Sequence, residues 1–119
     1  MLPKKYRLSF KKGERKKTTG RIRFKGGFFD LVVSFKLGEV PKTQDSRWGF
    51  IISKKVSPKA VERNRLKRLL GENARYFLPQ IRPGLELVIL GKPVLAGRGL
   101  EEIRQKLGDL LRKADLFKK

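Results

Sequence analysis

Arg63-Asn64-Arg65 and Lys67-Arg68 set four like charges and an amide within six positions of what reads as one helix. Like charges four apart on a helix cost a few tenths of a kcal/mol each, about 0.2–0.5. A polyanion outside the chain is the natural compensation. From Lys54 to Arg68 there are seven cations, Lys54, Lys55, Lys59, Arg63, Arg65, Lys67 and Arg68, against Glu62 alone. Arginine offers a planar fork that grips phosphate at two points or stacks on a base, whereas lysine acts as a point charge. Asn64 adds donors and acceptors suited to a base edge, a 2′-hydroxyl or a backbone turn. The plain alternative is a solvated basic helix with Asn64 facing water. The density and one-sidedness of the charge favour binding.

Catalysis by the chain itself is poorly supplied. It has no histidine and no cysteine, so neither a Ser-His pair nor a thiolate nucleophile is available. The 11 carboxylates are scattered, and no spacing gathers three on one surface for a two-metal nuclease. Glu101-Glu102 open the last helix, where they face its dipole favourably. The glycines at 26–27 and 97–99 lack the spacing of a phosphate-cradling loop and read as turns. Catalytic and metal-ligating residues are therefore expected to be none.

The net charge of +20 points the same way. Lys and Arg that neutralise phosphates release counterions, which favours nucleic acid. The apolar stripes are needed for a core, so an anionic membrane is the weaker choice, and no apolar run approaches the ~18 residues of a span. With no secretory signal and no cysteine, a cytoplasmic protein without an obligate protein partner is expected.

These residues need elements to position them. The 119 residues suit one domain, with a basic arm over 1–20. "RIRF", "FFDLVVSFKL" (28–37), "WGFIIS" (48–53) and "LELVIL" (85–90) read as strands, with Gly26-Gly27 bending the first into the second. Ser57-Pro58 reads as a helix start, with a hydroxyl cap and Pro in the first turn. Leu66, Leu69, Leu70 and Phe77 then share one arc. Asn64, Arg68, Gly71 and Arg75 share the opposite arc, and Pro79 ends the helix. Leu100, Ile103, Leu107, Leu110, Leu111, Ala114 and Phe117 recur at helical spacing in a terminal helix. Strand–helix–strand over 48–90 makes two strands parallel. The expected fold is α+β, a two-layer sandwich with one mixed sheet and helices packed on it. On this reading Arg65→Ala and Arg68→Ala should cost little stability, since both side chains lie off the leucine arc.

At this length the order of motifs resembles the bacterial ribonuclease P protein component. "SKKVSPKAVERNRLKRLLGE" (53–72) is similar to that family's Arg-Asn-Arg signature, in which a strand ending in Ser-Lys-Lys leads into an Arg-Asn-Arg-x-Lys-Arg helix. "KYRL", "FDLVV", "LVILGKP" and "LGDLLRKADLFKK" follow the family in order. The resemblance implies a left-handed strand–helix–strand crossover, against the general rule. It also implies a protein that is not the catalyst. A large RNA subunit, using Mg2+ held by RNA and substrate phosphates, removes the 5′ leader of precursor tRNA. The protein docks on that RNA through Lys54, Lys55, Lys59, Arg63, Asn64, Arg65, Lys67, Arg68 and Arg75. It holds the leader in a cleft between helix and sheet, for which Phe10, Phe29, Leu31, Val33 and Phe50 are the candidates. Two departures stand out. Gly71 occupies a position where the family commonly has Arg, with Arg75 one turn beyond. Phe10 is the one ring in a first segment where the family usually has several. The alternative reading is a ribosomal or other ribonucleoprotein RNA-binding protein, which explains charge and fold class but not the ordered matches.

Overall fold

The computed structural model of the protein describes residues 20–35, 46–82 and 84–118. The basic arm, with Phe10, and most of the polar loop before the third strand lie outside these residues. Strand β1 (Gly20–Phe24) turns through Gly26-Gly27 into β2 (Phe29–Phe35), and β3 (Arg47–Ile51) follows. Helix α1 (Ala60–Phe77) leads through a short 3-10 turn to β4 (Glu86–Gly91), and helix α2 (Leu100–Lys113) comes last. The sheet has the order β1-β2-β4-β3, with β3 parallel to β4 and the other pairs antiparallel. The mixed sheet and its covering helices are the α+β sandwich that the sequence implies.

One face of the sheet is dry. Leu31 pairs with Ile89 and Val33 with Leu87, while Trp48 and Phe50 lie beside Leu87 and Ile89 on the parallel side. Paired residues share a face, so these side chains form one apolar surface. Onto it pack Leu66, Leu70, Ala74 and Phe77 of α1 with Ile103, Leu107, Leu110 and Leu111 of α2. Each fully buried Leu or Ile side chain among them contributes about 1.5–3 kcal/mol. The polar edge of Trp48 is satisfied within this core, its Nε1–H donating to Ser46 Oγ at 2.9 Å.

The β1–β2 turn, the β3–α1 connection and the loop after β4 all leave from one end of the sheet, as the registers Phe24↔Leu31, Phe29↔Gly91 and Ile51↔Leu90 require. The Lys92 amide donates to Phe28 O at 2.9 Å and ties two of them together. Gly91 makes their close approach possible. A Cβ there would stand 2.7 Å from Ile52 Cδ1 and 3.1 Å from Leu95 Cδ2.

The start of α1 differs from its reading in sequence. Lys59, not Ser57, is the N-cap, and no side chain caps it. Ser57 Oγ accepts from the Lys59 amide at 3.3 Å, before the helix begins. The reason is Val56, which is buried with Ile52 in the core and holds the chain in a turn for longer. Pro58 then keeps the buried Ser57 extended rather than helical.

Candidate nucleic-acid interface

Helix α1 divides its residues by the apolar arc. Leu66 and Leu70 are buried and Leu69 is half-buried, and this fixes Asn64, Lys67, Arg68 and Arg75 on exposed positions. Lys54, Lys55 and Lys59 are exposed on the connection that leads into the helix. These seven side chains are brought to one element and its approach, as the charge pattern implies. Two acids interrupt the group in the chain: Glu62, which pairs with Arg65, and Glu72, which is exposed. Gly71 departs from its expected place in the group, for it is buried.

Arg63 and Arg65 do not stand free in water. Arg63 Nη1 donates to Ser57 O at 3.0 Å, closing the helix back onto its own approach. Arg65 donates through Nε to Glu62 Oε1 at 2.5 Å and through Nη2 to Oε2 at 2.9 Å. Its Nη1 reaches across the sequence to Arg98 O at 3.1 Å. The Gly97 amide donates to Glu62 Oε2 at 2.7 Å. The Arg65 guanidinium, and next the Gly97 amide, hold the Glu62 carboxyl down at about 2. The same pairing raises the already high Arg65 value. Arg65→Ala would therefore release a polar junction between two elements, which corrects the expectation that it costs little. The cause is a partner 33 residues away, which no helical wheel contains.

Three further interactions, at Asn73, Asp30 and Phe28, escape sequence reasoning. Asn73 is wholly buried, its Nδ2 donating to Leu100 O at 3.2 Å and its Oδ1 accepting from Arg104 Nε at 2.8 Å. Asp30 is buried in β2 and accepts from Arg23 Nη2 at 2.6 Å, with Lys92 Nζ at 3.2 Å. Burial alone would raise its carboxyl, but Arg23, Lys92 and the Gly26 amide together hold it below its ordinary value. Phe28 carries Arg98 over its ring at 4.8 Å and Lys106 at 5.6 Å. Asp30, a lone acid in an apolar strand, is the one of these that leaves a trace in sequence, as the i, i+3 spacing does for Glu62 and Arg65.

The candidate leader residues on the strands are corrected. Phe29, Leu31 and Val33 are 1%, 0% and 3% exposed, inside the core beneath the helices. Phe50 shares their phase and packs against the same core. The alternation phase decides this. Arg21, Arg23, Asp30, Val32, Ser34, Arg47 and Ile51 project from the opposite face, with Arg21, Arg23, Arg47 and Ile51 exposed. Asp30 and Ser34 mark the more polar phase and are the signal that distinguishes it. Among the described residues no group of three acidic, histidine or cysteine side chains could hold a metal ion, and no helix is long and apolar enough to cross a membrane.

Comparison with known proteins gives the family and bears on the fold. Residues 2–115 match the family model described as Ribonuclease P. The ribonuclease P protein component of Pseudanabaena sp. is 33% identical over 117 residues, covering 98% of this chain and 97% of that one. That of a Synechococcus sp. is 42% identical over 72 residues, covering 60% of this chain and 54% of the relative. Among solved structures, the Staphylococcus aureus RNase P protein superposes with a TM-score of 0.76 at 21% identity, over 95% of this chain and 98% of that one. The Thermotoga maritima RNase P protein gives 0.71 at 22% identity, over 90% and 96%. The two structures speak for the fold, and the family model and the Pseudanabaena sequence extend the match along almost the whole chain. On that ground this chain belongs to the family of ribonuclease P protein components, proteins of tRNA processing.

Proposed function

We propose that this protein is the RNA-binding, non-catalytic subunit of a ribonuclease P, working in the cytoplasm on precursor tRNA. The observation that carries the reading is the exposed group Lys54, Lys55, Lys59, Asn64, Lys67, Arg68 and Arg75 on one helix and its approach. Cations so placed lower the repulsion between the phosphates of two RNAs that must come together. The RNA subunit docks on this group, and the 5′ leader runs over the sheet face that carries Arg21, Arg23 and Arg47. The dry face is closed to it by the helices. Phosphodiester hydrolysis belongs to the RNA, with Mg2+ held by RNA and substrate phosphates.

The test is cleavage of precursor tRNA. RNA-free protein is expected to cleave none, yet to raise cleavage by a ribonuclease P RNA transcript at low Mg2+. Robust Mg2+-dependent cleavage by the protein alone would overturn the reading.

A further inference from the structure

The first turns of α1 carry the signature but have no hold on the core. The buried residues of the helix begin at Leu66, and Val61 is 82% exposed. A helix end without an apolar anchor frays, since tertiary packing supplies most helix stability. No side chain caps this end either. What holds it is polar: Arg63 on Ser57 O, and the pair Glu62–Arg65 on the turn after β4. That turn is shaped to receive the pair. Gly97 has φ of +79°, a left-handed conformation that only glycine adopts without strain. Its amide meets the Glu62 carboxylate, while the next carbonyl, of Arg98, meets the Arg65 guanidinium. One donor and one acceptor of the turn thus face one acceptor and one donor of the ion pair.

Resting on the reading of α1 as an RNA-docking helix, we infer that Glu62 and Arg65 are positioning residues: they lock the signature turn to the Gly97-Arg98 turn, so that Asn64, Lys67 and Arg68 meet RNA already ordered. Arg65 then spends its donors inside the protein and is not itself a phosphate ligand. The sign of one substitution separates this from ordinary electrostatics. Glu62 is an acid beside a polyanion site, so its removal should strengthen RNA binding if charge alone mattered. Positioning demands the reverse. If the freed turn keeps its pose about a fifth of the time, apparent affinity falls about fivefold.

The experiment uses the full chain and a ribonuclease P RNA transcript, with affinity measured against salt, beside amide hydrogen exchange of the free protein. Glu62→Gln is expected to bind about fivefold more weakly with an unchanged salt slope, and to exchange faster at residues 60–65. Arg65→Ala should likewise weaken binding without lowering the slope. Arg68→Ala, the control for a true phosphate ligand, should lower the slope by about 0.7–0.9. If Glu62→Gln tightens binding, or Arg65→Ala lowers the slope as Arg68→Ala does, the inference is wrong. Unchanged exchange at 60–65 in Glu62→Gln overturns it without reference to RNA. Failure of the unaltered protein to bind the transcript would instead strike at the docking role, and exchange would still decide on the lock.

Discussion

Arg65 and Arg68 stand three positions apart with the same charge, yet one is pinned at three donors and the other is exposed. Charge is legible in a sequence; the partner of a charge is legible only when it lies within a turn or so. Glu62 sits at i−3 from Arg65 and is visible in that way, whereas Gly97 and Arg98 come from another element. The same holds for Asp30, whose partners Arg23 and Lys92 lie on two different elements. Both carboxylates titrate lower in the folded chain than in a free one, so each lends stability that is present above its ordinary value. That stability fades as pH falls through the folded value. For Glu62 the window runs from 4.5 down to about 2. Asp30→Asn should cost about 1–3 kcal/mol near neutral pH, because Arg23 and Lys92 lose a charged acceptor. Thermal unfolding followed from neutral to acid pH should show the gap between Asp30→Asn and the unaltered protein close as the acid limb is reached, and the same for Glu62→Gln. A gap that stays constant down to the lowest pH would mean that neither carboxylate is held by its cations.

At the scale of elements, periodicity recovers what repeats and misses what is singular. The leucine arc of α1 and the stripe of α2 from Leu100 to Leu111 are found at their expected places. The helix ends at Lys113, however, and Phe117, expected to continue the stripe, lies beyond it in a bridge with Ile81. In β2 the run Phe29–Phe35 is apolar in both phases for part of its length, so period-two alternation does not by itself choose the core face. Pairing with β4 chooses it, through Leu31 against Ile89. The delayed start of α1 is likewise a tertiary effect, since Val56 and Ile52 are drawn into the core beside Gly91. Gly91 is therefore the joint on which the approach to the signature helix rests. Gly91→Val should be overpacked against Ile52, Leu95 and Val56, at a cost of about 1–3 kcal/mol. It should also displace residues 52–59 enough to weaken RNA binding. Denaturant unfolding reads the first effect, and affinity measured where the variant is fully folded reads the second. Full stability in Gly91→Val would mean that this end of the sheet is looser than its contacts imply.

For the whole molecule the governing quantity is the net charge of +20, spread over a body with one closed face. The helices seal the apolar side of the sheet, and the arginines at 21, 23 and 47 are on the other. On the proposed path over that second face the leader would meet the guanidinium groups of Arg21, Arg23 and Arg47, with Val32, Leu90 and Ile51 as the apolar side chains between them that are not buried. Stacking one base on an aromatic ring is worth roughly 1–3 kcal/mol, and no ring projects from this face among the described strand residues. Contacts made to phosphate carry no sequence information and each adds about 0.7 to the salt slope for a single strand. Binding of precursor tRNA by the assembled ribonucleoprotein should accordingly fall steeply with salt and change little when the leader sequence is permuted. Charge reversal at Arg21, which is exposed at the sheet edge, should weaken leader binding alike for every sequence. A shallow slope with strong dependence on one leader base would instead require a base-specific pocket, and the grip on the leader would not be the electrostatic one that this surface implies.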